Sequence, residues 1–244
     1  MTIDGPAGTG KTTVAAALAR RLGLELLDTG AMYRAAALIA IEQEIPPTDG
    51  PALARAVEQS DMHFTWGMDR PRLLIGERDV SERIRDLDVT DVVSIVASQP
   101  EVRRVLVAQQ RRIAHEHRRL VTEGRDQGSV VFPDAPVRFY LDAPAHVRAS
   151  RRTEEYRAKG KTIDAQAVRD DIERRDRIDT SRLEAPLTCP PGAIVVDTAR
   201  FTVDNVVDEL ERHVREQVPG LPVFDEQDQV DADGPTGDPT EPNA

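Results

Sequence analysis

The sequence predicts an α/β fold, a parallel sheet covered by helices on both faces. Three observations carry that expectation. Short apolar segments alternate with longer segments of helical periodicity along most of the chain. Clusters rich in Gly, Asp and Arg stand where such segments hand over to helices, the place where α/β sheets gather ligand groups. The first hand-over carries the pattern G-x-x-x-x-G-K-[ST], completed by Gly5, Gly10, Lys11 and Thr12.

Thr2-Ile3-Asp4 is the stub of the first strand, and Gly5-Pro6-Ala7-Gly8-Thr9-Gly10-Lys11-Thr12-Thr13 is the loop after it. Glycines let successive N–H groups turn into one anion-binding concavity. The following helix adds its free N–H groups and the positive end of its dipole. In such a loop the lysine reaches the β- and γ-phosphates and the hydroxyl ligates Mg²⁺, tasks that fall here to Lys11 and Thr12. A chance glycine-rich turn is the competing account. The helical pattern Val14, Leu18, Leu22 directly behind the loop weighs against it. So does Lys11 itself, because this Arg-rich chain has other lysines only at 159 and 161.

The helix is expected to end near Gly23. Leu24–Leu27 reads as a buried strand, and the cluster Asp28-Thr29-Gly30-Ala31-Met32-Tyr33-Arg34 opens the next helix. There Asp28 or Thr29 serves equally well as a plain N-cap, and Tyr33 as a packing residue. From Pro46 to Asp88 the pattern changes. A short helix around Ala52–Gln59 precedes two strands, Met62–Trp66 and Arg72–Ile75, joined by a turn at 67–70, which together read as a small β insertion. Val89–Ala97 is an apolar helix carrying Ser94, and Pro100 opens a long helix to about His117.

Leu120–Glu123 is the third core strand, followed at once by Gly124-Arg125-Asp126-Gln127-Gly128. Val137–Leu141 is the fourth. An Arg-dense helix begins at Pro144 and ends at Gly160, and a second spans about Asp164–Ile178. Ile194–Val196 is the fifth strand, and Val203–Val218 a closing amphipathic helix. From Pro219 onward, seven carboxylates with no Lys or Arg, among Pro and Gly, read as a disordered acidic tail.

Composition sets further bounds. At 244 residues with 39% hydrophobic content the chain suits one globular domain, taken as residues 1–218. A net charge of −11 argues against nucleic-acid binding, and no apolar run has the length of a membrane span. The opening stretch is expected to be no signal peptide, since a glycine loop occupies the place of the apolar region. Cys189 is the single cysteine and fits a reducing cytoplasm. The five histidines form no metal constellation, and no nucleophile-plus-base pairing points to covalent catalysis.

Four motifs together resemble bacterial cytidylate kinases: the stretch Ile3–Lys11, the cluster Asp28–Arg34, Glu123-Gly124-Arg125-Asp126-Gln127-Gly128, and Val131-Phe132-Pro133-Asp134-Ala135-Pro136. The resemblance runs from about residue 2 to 217. It implies a P-loop NTPase-type five-stranded parallel sheet, with a mobile acceptor-binding insertion at about 46–88 and an Arg-rich lid at about 148–165. It implies Mg²⁺-dependent, direct transfer of the ATP γ-phosphoryl group to CMP or dCMP; separately, the chain is expected to be a cytoplasmic monomer. Gly5 to Thr13 would hold ATP, with Arg148, Arg151 and Arg152 in the lid. Arg34, Arg125 and Arg175 match acceptor-phosphate contacts, and Lys11, Arg125 and Arg175 would carry the catalytic charge stabilisation. Thr29 and Asp179 match sugar contacts, with Tyr33 lining that pocket. Ser94, Arg103, Asp126 and Arg182 match positions that recognise cytosine. Glu123 is a candidate to hold a metal-bound water. Two features depart from the family pattern: the first strand has fewer residues ahead of Ile3, and the acidic tail has no counterpart.

The residues support such chemistry on their own terms. Phosphoryl transfer needs alignment and charge neutralisation, and a planar guanidinium binds phosphate through two hydrogen bonds. Arg175, Asp179 and Arg182, spaced i, i+4, i+7, share one face if the helix carries through Arg182. A surface salt-bridge ladder is the plainer account of that spacing. Two further readings compete: a P-loop kinase for another small molecule, and a nucleotide-dependent switch. The insertion and the Gly124-Arg125-Asp126 cluster weigh against the first. The absence of an N-K-x-D motif and the Arg-dense lid weigh against the second.

Overall fold

The computed structural model describes residues 1–66, 71–158 and 160–221. The turn expected at 67–70, Lys159 and the acidic stretch 222–244 lie outside the described residues. Strand β1 (Thr2–Asp4) runs into the glycine loop and helix α1 (Lys11–Arg21). Val14, Leu18 and Leu22 are buried, and the chain leaves the helix where Gly23 takes φ 57°. Strand β2 (Glu25–Asp28) hands over to α2 (Thr29–Glu42), whose N-cap is Asp28, its carboxylate accepting from the Ala31 N–H at 2.9 Å. Helix α3 (Gly50–Gln59) follows, capped by Asp49.

The insertion contains three strands: β3 (Met62–Thr65), β4 (Arg72–Ile75) and β5 (Arg78–Asp79), paired antiparallel in that order. The third was not expected, because two residues are too few for an alternation to show. Next come α4 (Leu87–Val96), α5 (Pro100–Glu116), β6 (Leu120–Glu123) and β7 (Arg138–Asp142). Between the last two, residues 127–131 form a single wide helical turn. Helices α6 (Ala145–Ala158) and α7 (Ala165–Ser181) make the Arg-rich hairpin, and β8 (Ile194–Asp197) with α8 (Val203–Gln217) closes the unit.

The main sheet has the order β2-β6-β1-β7-β8, every pair parallel. Asp28 is in register with Glu123, and Ile3 with both Glu123 and Phe139. The carboxyl ends of β1, β2 and β6 therefore finish at one level, and the loops that follow them converge. One apolar core packs α2, α3, α4 and α5 together, with Leu38, Leu53, Val89 and Leu106 buried. On the other side α1 and α8 cover Ile3 and Phe139 with Leu18, Leu22, Val207 and Leu210. The α6–α7 hairpin has its own small core of Ala149, Tyr156, Val168 and Ile172. Among the described residues no helix is long and apolar enough to cross a membrane.

One expectation is corrected here. Helix α7 stops at Ser181, and Arg182 is extended at φ −57°, ψ 139°. Its side chain returns to the helix because Nε donates to the Asp179 carbonyl at 3.2 Å.

Candidate functional site

The cradle after β1 is shaped by close backbone approach. Gly5 has φ 146°, and a Cβ there would stand 2.1 Å from the Leu141 carbonyl oxygen. Gly10, at φ 87°, closes the loop onto the N-terminus of α1. Within the loop Lys11 Nζ donates to the Pro6 carbonyl at 2.8 Å and Thr9 Oγ1 donates to the same oxygen at 3.2 Å. Burial, helped by the charge of Arg125, lowers the Lys11 ammonium to about 7. Thr12 Oγ1 donates to Glu123 Oε1 at 2.6 Å, and burial together with the charge of Asp28 raises Glu123 to about 7. Two oxygen donors thus stand side by side at the mouth of the cradle, a pairing that suits Mg²⁺.

A cavity of about 610 Å³ joins the cradle to the ends of β2 and β6, and α2, α4, α5, α6 and α7 contribute to its walls. Ala7, Gly8, Lys11, Thr12 and Thr13 stand at the donor end. Arg34 lines the wall, its Nη1 donating to Thr90 Oγ1 at 2.9 Å, and burial lowers its guanidinium to about 9. Arg125 Nε donates to Asp179 Oδ2 at 3.0 Å. Arg175 lines the same cavity, lowered by burial and by Arg125, with no partner for Nε among the described residues. Burial raises Asp179 in isolation, yet Arg125, Arg182 and Arg175 outweigh it and hold the carboxyl below its ordinary value. The surface ladder is therefore not what these residues form.

At the far end Arg103 and Asp126 make a buried ion pair, with Arg103 Nη1 also donating to the Ala97 carbonyl at 3.2 Å. The Arg103 guanidinium lies 5.4 Å from the Tyr33 ring centroid. Ser94 lines the cavity and is buried, and the Tyr33 hydroxyl meets only the Gln110 side chain among the described residues, short of full hydrogen-bond geometry. Thr29 Oγ1 donates to the Glu123 carbonyl at 2.7 Å, leaving its lone pairs for a ligand donor.

The three lid arginines separate. Arg152 alone lines the cavity, stacked 4.8 Å over Tyr156 and paired with Glu155. Arg148 does not line the cavity: its Nε, Nη1 and Nη2 donate to the Ala143 carbonyl, the Ala7 carbonyl and Asp176. It clamps the cradle from behind. Arg151 is also turned away, donating to Thr198 Oγ1 and to the Thr198 carbonyl.

Sequence reasoning missed Asp4. Its two carboxylate oxygens accept from the Gln127 N–H at 2.8 Å and the Gly128 N–H at 2.7 Å, bolting the turn after β6 onto β1. The signal was available: a carboxylate ending a buried strand must find donors. Burial is the main cause that raises Asp4 to about 6, against those two bonds. A folded-state value above the ordinary one means that the folded protein holds the proton more tightly. The Asp4 contribution to stability therefore falls as pH rises from the ordinary carboxylate range to about 6. Asp4→Asn has no such titration. Its melting temperature relative to the parent should rise between roughly pH 4.5 and pH 7. Paired melts at the two pH values test this, and a pH-independent difference would show that Asp4 is ionised throughout.

The cytidylate kinase family model matches residues 1–216. The chain is 47% identical over 219 residues to a cytidylate kinase of Nocardia farcinica, covering 88% of this chain and 93% of that one. It is 45% identical over 215 residues to one of Mycolicibacterium paratuberculosis, covering 88% and 94%. To one of Caldanaerobacter subterraneus subsp. tengcongensis it is 42% identical over 218 residues, covering 89% and 95%. A match over nearly all of the described residues, joined to a phosphate cradle facing buried arginines in one cavity, leads to one conclusion: the chain belongs to the cytidylate kinase family.

Proposed function

We propose that the chain transfers the γ-phosphoryl group of ATP to CMP and dCMP, giving CDP and dCDP by in-line displacement. The observation that carries this reading is the single cavity with a phosphate cradle at one end and the buried Arg103–Asp126 pair with Ser94 at the other. ATP occupies the cradle, its β- and γ-phosphates met by Lys11 and the loop N–H groups, with Arg152 approaching from α6. Thr12 and Glu123 are the residues that would hold Mg²⁺, Glu123 through a water. Bound there, Mg²⁺ would supply neutralisation of the charge on the transferring phosphates. Arg34, Arg125 and Arg175 bind the acceptor phosphate and fix its attacking oxygen in line. Thr29 and Asp179 take the sugar hydroxyls. The α6–α7 hairpin closes over the donor and the β insertion over the acceptor. We infer a cytoplasmic monomer that takes small nucleotides and engages neither nucleic acid nor membrane.

Base choice follows from donor and acceptor order. Cytosine offers an amino donor at N4 and acceptors at N3 and O2, whereas uracil places a carbonyl at the N4 position. Asp126 and the Ser94 hydroxyl accept from the amino group, and Arg103 donates toward the ring acceptors. UMP would set an oxygen against a carboxylate, at about 1–3 kcal/mol per unpaired group. Ser94→Ala should narrow the CMP:UMP ratio of kcat/KM by about fivefold or more. Equal losses for both substrates would make Ser94 structural, and unchanged kinetics would remove it from the site. The reading as a whole is tested by an acceptor panel of CMP, dCMP, UMP, AMP, dTMP and shikimate with ATP. Stoichiometric consumption of ATP with CMP and dCMP supports it. ATP hydrolysis indifferent to CMP would replace it with a nucleotide switch.

A further inference from the structure

Behind the base end of the cavity lie two glutamines that the proposed chemistry does not use. Gln110 on α5 and Gln127 on the turn after β6 are both completely buried. Gln127 Nε2 stands 3.4 Å from Asp126 Oδ1 and 3.3 Å from Gln110 Oε1. The backbone N–H of Gln127 is fixed to Asp4, so this side chain is anchored at its root as well as its tip. Arg103 holds the other carboxylate oxygen of Asp126, and Arg103 and Gln110 lie seven residues apart, two turns, on one face of α5. Helix α5 thus grips Asp126 twice: directly through Arg103, and through Gln110 by way of Gln127.

The amide orientations follow in sequence from the carboxylate. An ionised Asp126 only accepts, so Gln127 must present its NH₂ to it. That NH₂ also faces Gln110, which must then present its oxygen. The Gln110 NH₂ is left beside the Tyr33 hydroxyl without the geometry of a full hydrogen bond, and neither group has another partner among the described residues. Gln127 Oε1 is likewise without a partner among the described residues. Two leucines would fill such a space without burying any amide, so the pair is costly unless it serves the carboxylate.

We propose that Gln127, supported by Gln110, is a positioning residue for base choice: it holds the Asp126 carboxylate in the orientation that accepts from the base and so sets the preference for cytosine over uracil. The inference rests on the proposed function. Gln127→Leu removes the donor while keeping the bulk. The CMP:UMP ratio of kcat/KM should fall about tenfold, through a raised KM for CMP more than a lowered kcat. Gln110→Leu should act in the same direction by a smaller factor, and it decides the matter if Gln127→Leu does not fold. Gln127→Glu keeps nearly the same shape but replaces the amide donor by a second carboxylate beside Asp126, so it should lower the CMP:UMP ratio as Gln127→Leu does, an effect that loss of packing does not produce.

Steady-state kinetics of parent and variants with CMP and UMP, alongside thermal melts, make the test. A parent that does not phosphorylate CMP refutes the proposed function. A parent that discriminates, with folded variants that discriminate equally well or lose both substrates in proportion, overturns the role of the glutamines.

Discussion

Lys11→Ala is expected to lower turnover about a hundredfold or more while the protein stays folded. Negative charge builds on the oxygen that bridges the β- and γ-phosphates as its bond to the γ-phosphoryl group breaks, and loss of the ammonium that would meet it removes an electrostatic contribution on the order of 3 kcal/mol. The fold has little to lose. Lys11 Nζ makes one hydrogen bond among the described residues, to the Pro6 carbonyl of its own loop. The cradle is held independently by Arg148, whose Nη1 donates to the Ala7 carbonyl at 2.9 Å. Burial already disfavours the Lys11 charge, as its lowered value shows, so removing it relieves a desolvation cost in the unliganded protein. Melting temperature should therefore be unchanged or slightly raised. Lys11→Arg should not restore activity, because a planar fork does not fit where a compact ammonium reaches past a loop carbonyl. The measurements are kcat at saturating ATP and CMP together with a thermal melt. Near-normal turnover in a folded Lys11→Ala protein would refute the role.

The core strands were legible because each is a short apolar run between polar hand-overs, and a strand buried on both faces leaves little room for other residues. Leu120–Glu123 has the same bounds in sequence and structure. The two-residue β5 was not legible because two residues carry no alternation, and the wide turn at 127–131 was not because the carboxylate that fixes it, Asp4, is distant in sequence. The site divides the same way. Lys11, Thr12, Ser94, Arg103 and Asp126, singled out by motif and resemblance, all line one cavity. The lid arginines were beyond reach. Arg148 and Arg152 are one turn apart on the same face of α6, yet Arg148 abuts the Ala7 carbonyl while Arg152 lines the cavity. Periodicity assigns a face, whereas packing decides what that face meets. The glutamines behind Asp126 carried no pattern signal, because a buried amide pair has no periodicity of its own.

Arg175→Ala should lower kcat/KM for CMP about a hundredfold or more with little change in stability. The alternative was a solvent-facing ladder along α7, and the geometry separates the two. In a ladder Arg175 would pair with Asp179 one turn away. Instead Asp179 takes the Nε of Arg125 at 3.0 Å, from the turn after β6, while Arg175 Nε has no partner among the described residues. Burial and the neighbouring charge of Arg125 both lower Arg175, so two guanidiniums that line the same cavity repel one another. Such a pair is unfavourable in the empty protein and favourable once a phosphate enters, which is how a site stores affinity for an anion. Deleting one member removes repulsion from the free protein and removes a charge-assisted hydrogen bond from the complex. Stability is then preserved or raised while the acceptor phosphate loses both neutralisation and alignment. Arg175→Lys keeps the charge but not the bidentate fork, and should recover only part of the loss. The decisive measurement is kcat/KM for CMP in Arg175→Ala at unchanged melting temperature. A value within threefold of the parent would show that Arg175 stands beside the acceptor phosphate without holding it.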